Sequence, residues 1–260
     1  MTGNGADRPV FQAKGLSRVF ARDGGETAAL RDINLVIEKG ECLLLAGSNG
    51  SGKTLLMRCL AGLLEPSSGE ILYRGEPLSR VKDLHRRVGI VFQDPDSQIV
   101  GETIEEDIAF GPFNSGLPKS RIRELTELAL RTFGLEDKRD VPPRRLSGGE
   151  KRRLAAAGIF AMGCETVIMD EPFANLDYPG VLSVLSVIRG MKGEGRTLVI
   201  LTHELEKVLA LAKRLVILHR GTIRDDGEPE MVLDRLRDEW GVRDPRQTYS
   251  RVQDCSWLGA

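Results

Sequence analysis

A glycine-rich loop around one lysine, a pair of adjacent acids, a histidine and a serine–glycine turn are the residues of this chain whose types and spacing could do chemistry. The loop is GSNGSGKT, made of Gly47, Ser48, Asn49, Gly50, Ser51, Gly52, Lys53 and Thr54, and it fits G-x-x-x-x-G-K-[ST] at every position. In such a loop backbone N–H groups cradle phosphates, the lysine reaches the β/γ oxygens and the hydroxyl residue serves magnesium. The acids lie in VIMDEP, where Asp170 closes an apolar run and Glu171 follows it. Asp170 can hold hydrated magnesium through water, and Glu171 can orient or deprotonate a water attacking phosphorus in line. Two acids in an ordinary turn would look the same in isolation; a preceding phosphate loop favours the paired role. His203 follows the run TLVILT and could donate to a terminal phosphate, although by itself a structural or surface histidine is the plainer reading. Gln93, also expected at a strand end, could serve a metal or a water. In LSGGE, Leu146–Glu150, a hydroxyl and two glycines precede a long helical pattern, which suits either an anion at a helix N-terminus or an ordinary N-cap at Ser147.

These groups need elements to position them. Val10 to Phe20 is expected to form a first strand, ARDGGE a turn, and Leu30, Ile33, Leu35 and Ile37 an alternating second strand, together an antiparallel entry sheet. CLLLAG has the continuous apolar character of a strand covered on both faces, and TLLMRCLAGLLE after it predicts a helix over 54–65. Further strands are expected at Gly69–Tyr73 and Val88–Gln93. From Ile104 to about Cys164 the pattern turns helical, broken at Gly116–Pro118, with Leu125, Leu128, Ala129, Thr132 and Phe133 as one face. Sheet signals return as βαβαβ: Thr166–Asp170, a helix over Val181–Ile188, Thr197–Thr202, a helix from Glu204, and Leu215–Gly221. After Glu228 come one amphipathic segment, MVLDRLRDEW, and a polar stretch holding Trp257 and Leu258.

Bulk properties exclude several classes. With 37 Lys and Arg against 38 Asp and Glu, the net charge of -1 gives no long-range attraction to nucleic acid. No apolar run reaches the length of a membrane span, and the N-terminus MTGNGADRP lacks the basic-then-apolar order of a secretory signal, so a cytosolic protein is expected. Cys42, Cys59, Cys164 and Cys255 are dispersed, with only His85, His203 and His219 beside them, which argues against a zinc or other transition-metal site; Cys42 and Cys59 are expected to be small buried hydrophobes.

With GSNGSGKT, LSGGE, VIMDEP and His203 in this order, residues 10–227 resemble the ATP-binding subunit of an ABC transporter. The resemblance implies an α/β fold, a P-loop NTPase core of ABC ATPase type with an N-terminal antiparallel β-subdomain and an inserted helical subdomain at about 104–164, followed by a short C-terminal extension over 228–260. It implies an ATPase using ATP and Mg2+, with GSNGSGKT as Walker A, Val167–Glu171 as Walker B, Gln93 in the Q-loop, Asp177 of ANLD in the D-loop, and His203 as the switch histidine. On that likeness Glu171, His203 and Gln93 are catalytic, Thr54, Gln93 and Asp170 serve the metal, and Phe20 stacks on adenine. It implies too that two subunits pair head to tail, so that Ser147, Gly148 and Gly149 of one cap the γ-phosphate held by Lys53 of the other. A narrower likeness lies in FQDPDSQIVGETIEEDIAFGPFNSGL, Phe92–Leu117, which looks like the segment after the Q-loop in energy-coupling-factor ATPases and their cobalt and nickel relatives. That likeness implies a peripheral subunit on the cytoplasmic face of a prokaryotic membrane. Its partners would be a second ATPase subunit, a transmembrane coupling protein and a small membrane substrate-binding component, with a homodimer favoured over a heterodimer and cobalt or nickel over a vitamin. Other ABC importers or exporters, and soluble ABC proteins acting on nucleic acid or ribosomes, are the alternatives.

Overall fold

A computed structural model describes residues 8–22 and 25–247 of the chain. Cys255, Trp257 and Leu258 lie outside the described residues. The order is β1 (Phe11–Arg22), β2 (Gly25–Ile37), β3 (Cys42–Ala46), α1 (Lys53–Leu60), β4 (Ser68–Tyr73), β5 (Glu76–Pro77) and β6 (Val88–Val91). Three helices follow, α2 (Ile104–Asn114), α3 (Lys119–Phe133) and α4 (Gly148–Met162). The chain then runs through β7 (Thr166–Asp170), α5 (Tyr178–Gly193), β8 (Thr197–Leu201), α6 (Leu205–Val208), β9 (Arg214–His219), β10 (Thr222–Gly227) and α7 (Pro229–Asp234).

Two sheets form among these residues. The N-terminal strands make an antiparallel sheet in the order β2-β1-β4-β5, and the others a sheet in the order β10-β9-β3-β8-β7-β6. The second sheet is parallel except at β10, which pairs antiparallel with β9. Every residue of β3, β7 and β8 is buried, as their unbroken apolar runs require of strands covered on both faces. Period-two alternation divides β3 between two cores. Cys42, Leu44 and Ala46 face the helices α2 to α5, and Leu43 and Leu45 face α1 and the antiparallel sheet. The expectation of small buried thiols holds for Cys42 and Cys59, whose burial pushes both up to about 11.

The elements differ from expectation in specific ways. α1 stops at Leu60 rather than Glu65, because Gly62 is left-handed at φ 71° and the N–H groups of Gly62, Leu63 and Leu64 turn back onto the Cys59 and Arg58 carbonyls. The buried face of α3 is Thr126, Ala129, Leu130 and Phe133, whereas Leu128 and Thr132 are exposed; Leu130 lies one turn from both Thr126 and Phe133. α5 begins earlier and ends later than Val181–Ile188, since Asp177 caps it by accepting from the Gly180 N–H at 3.0 Å and Pro179 fits its first turn. The helix expected from Glu204 is only Leu205–Val208, continued by a 3-10 turn. Strand β10 was not expected: TIRDDG has weak strand character and is held as an edge by pairing with β9. Val232, Leu233, Trp240 and Val242 join the helix-side core, so the segment after β10 packs onto the sheet.

Candidate functional site

The glycine loop leaves the buried end of β3 and opens α1 directly, the strand–loop–helix order its spacing implies. Gly47 is required by close approach: a Cβ there would stand 2.1 Å from the Leu218 carbonyl oxygen on β9. Gly52, at φ 109°, begins α1 with no side-chain cap and no acid in the first turn, so the helix presents its N–H groups to an anion. Lys53 is 6% exposed, and its Nζ donates to the carbonyls of Gly47 at 2.6 Å and Ser48 at 3.3 Å. Desolvation holds its pKa below the usual lysine range, opposed by the nearby charges of Glu171 and Asp170. The Ser51 hydroxyl oxygen is buried without a hydrogen-bond partner. A narrow loop of backbone, a buried ammonium and an unpaired hydroxyl fit a polyphosphate.

β3, β7 and β8 run parallel and side by side, so their carboxyl ends deliver the remaining groups to one edge. Asp170, the last residue of β7, is buried and accepts from Thr54 Oγ1 at 2.8 Å. Burial pushes its carboxyl up, and the Thr54 hydrogen bond pulls it back. Glu171 is also buried, with Oε1 4.0 Å from Lys53 Nζ. Its backbone is left-handed at φ 48°, strained for a non-glycine residue, and its N–H is tied to the Leu201 carbonyl at 2.8 Å. His203, exposed just beyond β8, brings Nδ1 to 3.0 Å from Glu171 Oε1, and its backbone N–H donates to Glu171 Oε2 at 3.4 Å. Asn49 to Leu55, Gln93, Asp170, Glu171 and His203 line one cleft of about 370 Å³. Thr54 and Asp170 supply hard oxygen donors, but among the described residues no cluster of three or more His, Cys, Asp or Glu could hold a metal. A divalent ion here would therefore depend on phosphate and water oxygens, as magnesium commonly does.

Other expected residues lie elsewhere. Gln93 is two residues past the end of β6 rather than on it. Ser147 is exposed and caps α4 in a capping box with Glu150: it accepts from the Glu150 N–H at 3.3 Å and donates its N–H to Glu150 Oε2 at 2.8 Å. Glu150 is drawn down to about 2 by its hydrogen bond with Lys138 and those from Ser147. Ser147 and Gly149 do not line the phosphate-loop cleft of the same chain; Gly148 borders a second cleft with Thr54, Arg58, Gln93 and Arg152. Asp177 caps α5. Phe20 pairs with Thr27 across the antiparallel sheet, under the Arg18 guanidinium 4.7 Å from its ring centre, and is outside the cleft.

Sequence reasoning missed three polar side chains that hold these segments together. Arg152 is 8% exposed and donates through Nη1 to the Glu171 carbonyl at 2.8 Å and through Nη2 to the Gln93 carbonyl at 3.0 Å. Nothing in KRRLAAAG distinguishes Arg152 from Arg153 until the buried face of α4 is known. Gln98 accepts from the Phe92 N–H at 3.2 Å and donates to the Ile90 carbonyl at 3.0 Å, completing the open edge of β6 as a neighbouring strand would. Asp107, buried on α2, accepts from the N–H groups of Val100 at 2.7 Å and Gly101 at 2.9 Å; burial pushes its carboxyl up against the pull of those bonds. A buried acid hydrogen-bonding to a loop six or seven residues earlier carries no periodic signal.

Comparison with known proteins places this site in a family. The ABC transporter family matches residues 30–174. The energy-coupling factor transporter ATP-binding protein EcfA of Methanocaldococcus jannaschii is 40% identical over 210 residues, 79% of this chain and 75% of that one. The cobalt import ATP-binding protein CbiO of Rhodobacter capsulatus is 39% identical over 243 residues, 91% of this chain and 86% of that one. Among solved structures, cbiO1 from Clostridium perfringens, part of the ABC transporter complex cbiONQ, superimposes with a TM-score of 0.76 at 34% identity, covering 89% of this chain and 92% of that chain. A nucleotide loop that meets paired acids and a histidine at one sheet edge, in a chain this similar to EcfA and CbiO along most of its length, leaves one conclusion: the chain belongs to the ABC transporter family, as an ATP-binding, ATP-hydrolysing subunit.

Proposed function

We propose that hydrolysis in this subunit runs through Glu171 as the group that takes the proton of the attacking water, with Lys53 and His203 meeting the charge that develops on the γ-phosphate. Lys53 exchanges the Gly47 and Ser48 carbonyls for β/γ oxygens, and the first-turn N–H groups of α1 receive the rest of the polyphosphate. Thr54, Asp170 and Gln93 would hold Mg2+ together with phosphate and water oxygens, and the ion would supply charge neutralisation at the phosphates. Phe20 stacks on adenine. By resemblance to ABC transporter subunits, Ser147, Gly148 and Gly149 act on the nucleotide of a second copy in a head-to-tail pair, with Asp177 of the D-loop assigned to the nucleotide on the same likeness. What supports this reading is the meeting of Lys53, Asp170, Glu171 and His203 in one cleft. Phosphate release by Glu171→Gln and His203→Ala, with nucleotide binding followed in parallel, tests it. Binding should persist while turnover falls at least about 100-fold for Glu171→Gln; wild-type turnover in both variants would sink the assignment.

The subunit powers uptake of cobalt, nickel or a vitamin from the cytoplasmic face of a prokaryotic membrane, as a homodimer under a transmembrane coupling protein and a small membrane substrate-binding component. Similarity to EcfA and CbiO proteins supports this. So does Phe92–Leu117, where Val100, just before α2, and Phe110 and Phe113, on α2, expose 59%, 50% and 69% of their surface. An exposed apolar group of this kind suits an amphipathic segment of a membrane partner. No helix of the described residues is long and apolar enough to cross a membrane. Isolation of the assembly in mild detergent, followed by uptake assays with cobalt, nickel and vitamins, should recover a small membrane substrate-binding component and inward transport. A periplasmic binding protein, outward transport, or recovery only with ribosomes or DNA would overturn the proposal.

A further inference from the structure

We propose that Arg152 is a positioning residue for hydrolysis: one guanidinium on α4 grips the main-chain carbonyls of both Glu171 and Gln93, so the helix that begins at Gly148 sets where the Glu171 carboxylate stands. The proposal rests on the reading of Glu171 as the water-activating group. Glu171 cannot hold its place by backbone preference, since φ 48° is disfavoured for a side-chain-bearing residue. Its N–H is tied to Leu201, and its carbonyl accepts from the Ala174 N–H at 3.2 Å and from Arg152 Nη1 at 2.8 Å. Of these three anchors, only Arg152 comes from the helical segment. The other arm of the same fork fixes Gln93, at the start of the loop that leads to the exposed Val100. A guanidinium is planar and rigid, so the two carbonyls are held at a set separation, and a rotation of α4 must move both. The cation is buried, and beyond the two carbonyls it is balanced by the nearby charges of Glu171, Asp94 and Glu204. The next residue back, Lys151, ties α4 to the same loop through Asp96 at 2.6 Å.

The test uses the purified full-length chain, with phosphate release measured against ATP concentration for R152M, R152K, E171Q and the R152M/E171Q double variant. R152M should lower kcat roughly 10- to 100-fold while KM changes less than about threefold, because the lost hydrogen bonds align the carboxylate rather than the nucleotide. R152K should recover part of the loss, since an ammonium can keep one carbonyl. In the E171Q background R152M should add no further loss, because both changes act through one group. Should R152M fail to fold, R152Q takes its place under the same criteria. Wild-type kcat in R152M, a parallel fall of kcat, nucleotide affinity and melting temperature without recovery in R152K, or a full independent loss on top of E171Q would each overturn the inference. If E171Q itself turns over normally, the reading of Glu171 fails and the inference with it; if E171Q is inactive and R152M normal, the inference alone fails.

Discussion

Replacing Gly47 by alanine is the most exacting probe of how the phosphate loop is built. The new Cβ would stand 2.1 Å from the Leu218 carbonyl oxygen and 2.7 Å from Ser51 Oγ, so the first contact falls about 0.9 Å short of the 3.0 Å below which such contacts are not tolerated. Ser51 can rotate away. Leu218 cannot: it is fully buried near the end of β9, paired with Ile223 of β10. The loop must therefore move outward by nearly an ångström, carrying the backbone groups that meet phosphate. Misplacement on this scale costs roughly 100-fold in a positioned reaction, and overpacking of this kind about 1–3 kcal/mol of stability. The control is Gly50→Ala, where the backbone is left-handed at φ 79° but no atom lies within 4 Å, leaving only a conformational cost of about 1–2 kcal/mol. Titration with a fluorescent ATP analogue and urea unfolding of both variants separate the two effects. Gly47→Ala should lose nucleotide affinity and ATPase activity well beyond Gly50→Ala. Equal, small losses in both would refute the argument that the Leu218 carbonyl sets the floor of the loop.

Two further outcomes follow from hydrogen bonds around the helical segment. Glu150, lowered from 4.5 to about 2, contributes stability that is present above its unfolded value and lost as pH falls through the folded one; with Lys138 about half exposed, screening leaves about 1–2 kcal/mol. Urea unfolding should therefore show Glu150→Gln less stable than the parent at pH 7 and the gap narrowing from pH 4.5 toward 2, while a gap independent of pH would contradict the assignment. Asp107→Leu leaves the Val100 and Gly101 N–H groups without their acceptor, at about 1–3 kcal/mol for each that stays buried, so its urea midpoint should fall clearly below that of Asp107→Asn, which keeps one acceptor.

Much of the site was legible in the sequence because its parts are local. A phosphate loop is one contiguous stretch, and its function follows from backbone shape and a single lysine. Asp170, Glu171 and His203 were legible for a related reason. Each follows an apolar run long enough for one buried strand, and in a parallel sheet the residues after such runs emerge at the same edge. Element types followed from the period of the apolar residues, while element ends did not: α1 was halted by the turn at Gly62 and α5 was lengthened by the cap at Asp177, small local energies that periodicity does not record.

The tertiary structure decided what depends on pairing between distant segments. The chain order β7, β8, β9 gives no hint that β3 lies between β8 and β9, yet that insertion is what puts Lys53 beside Glu171. It also decided which of two adjacent arginines faces inward, so that Arg152 rather than Arg153 reaches the carbonyls of Glu171 and Gln93, and it put Ser147 and Gly149 outside their own chain's cleft. By itself the sequence determined the chemistry, because residue types and short spacings specify donors, acceptors and backbone freedom. Only the folded chain determined which of those groups meet, because strand order and helix facing are set by the burial of whole apolar faces across separations that no local pattern encodes.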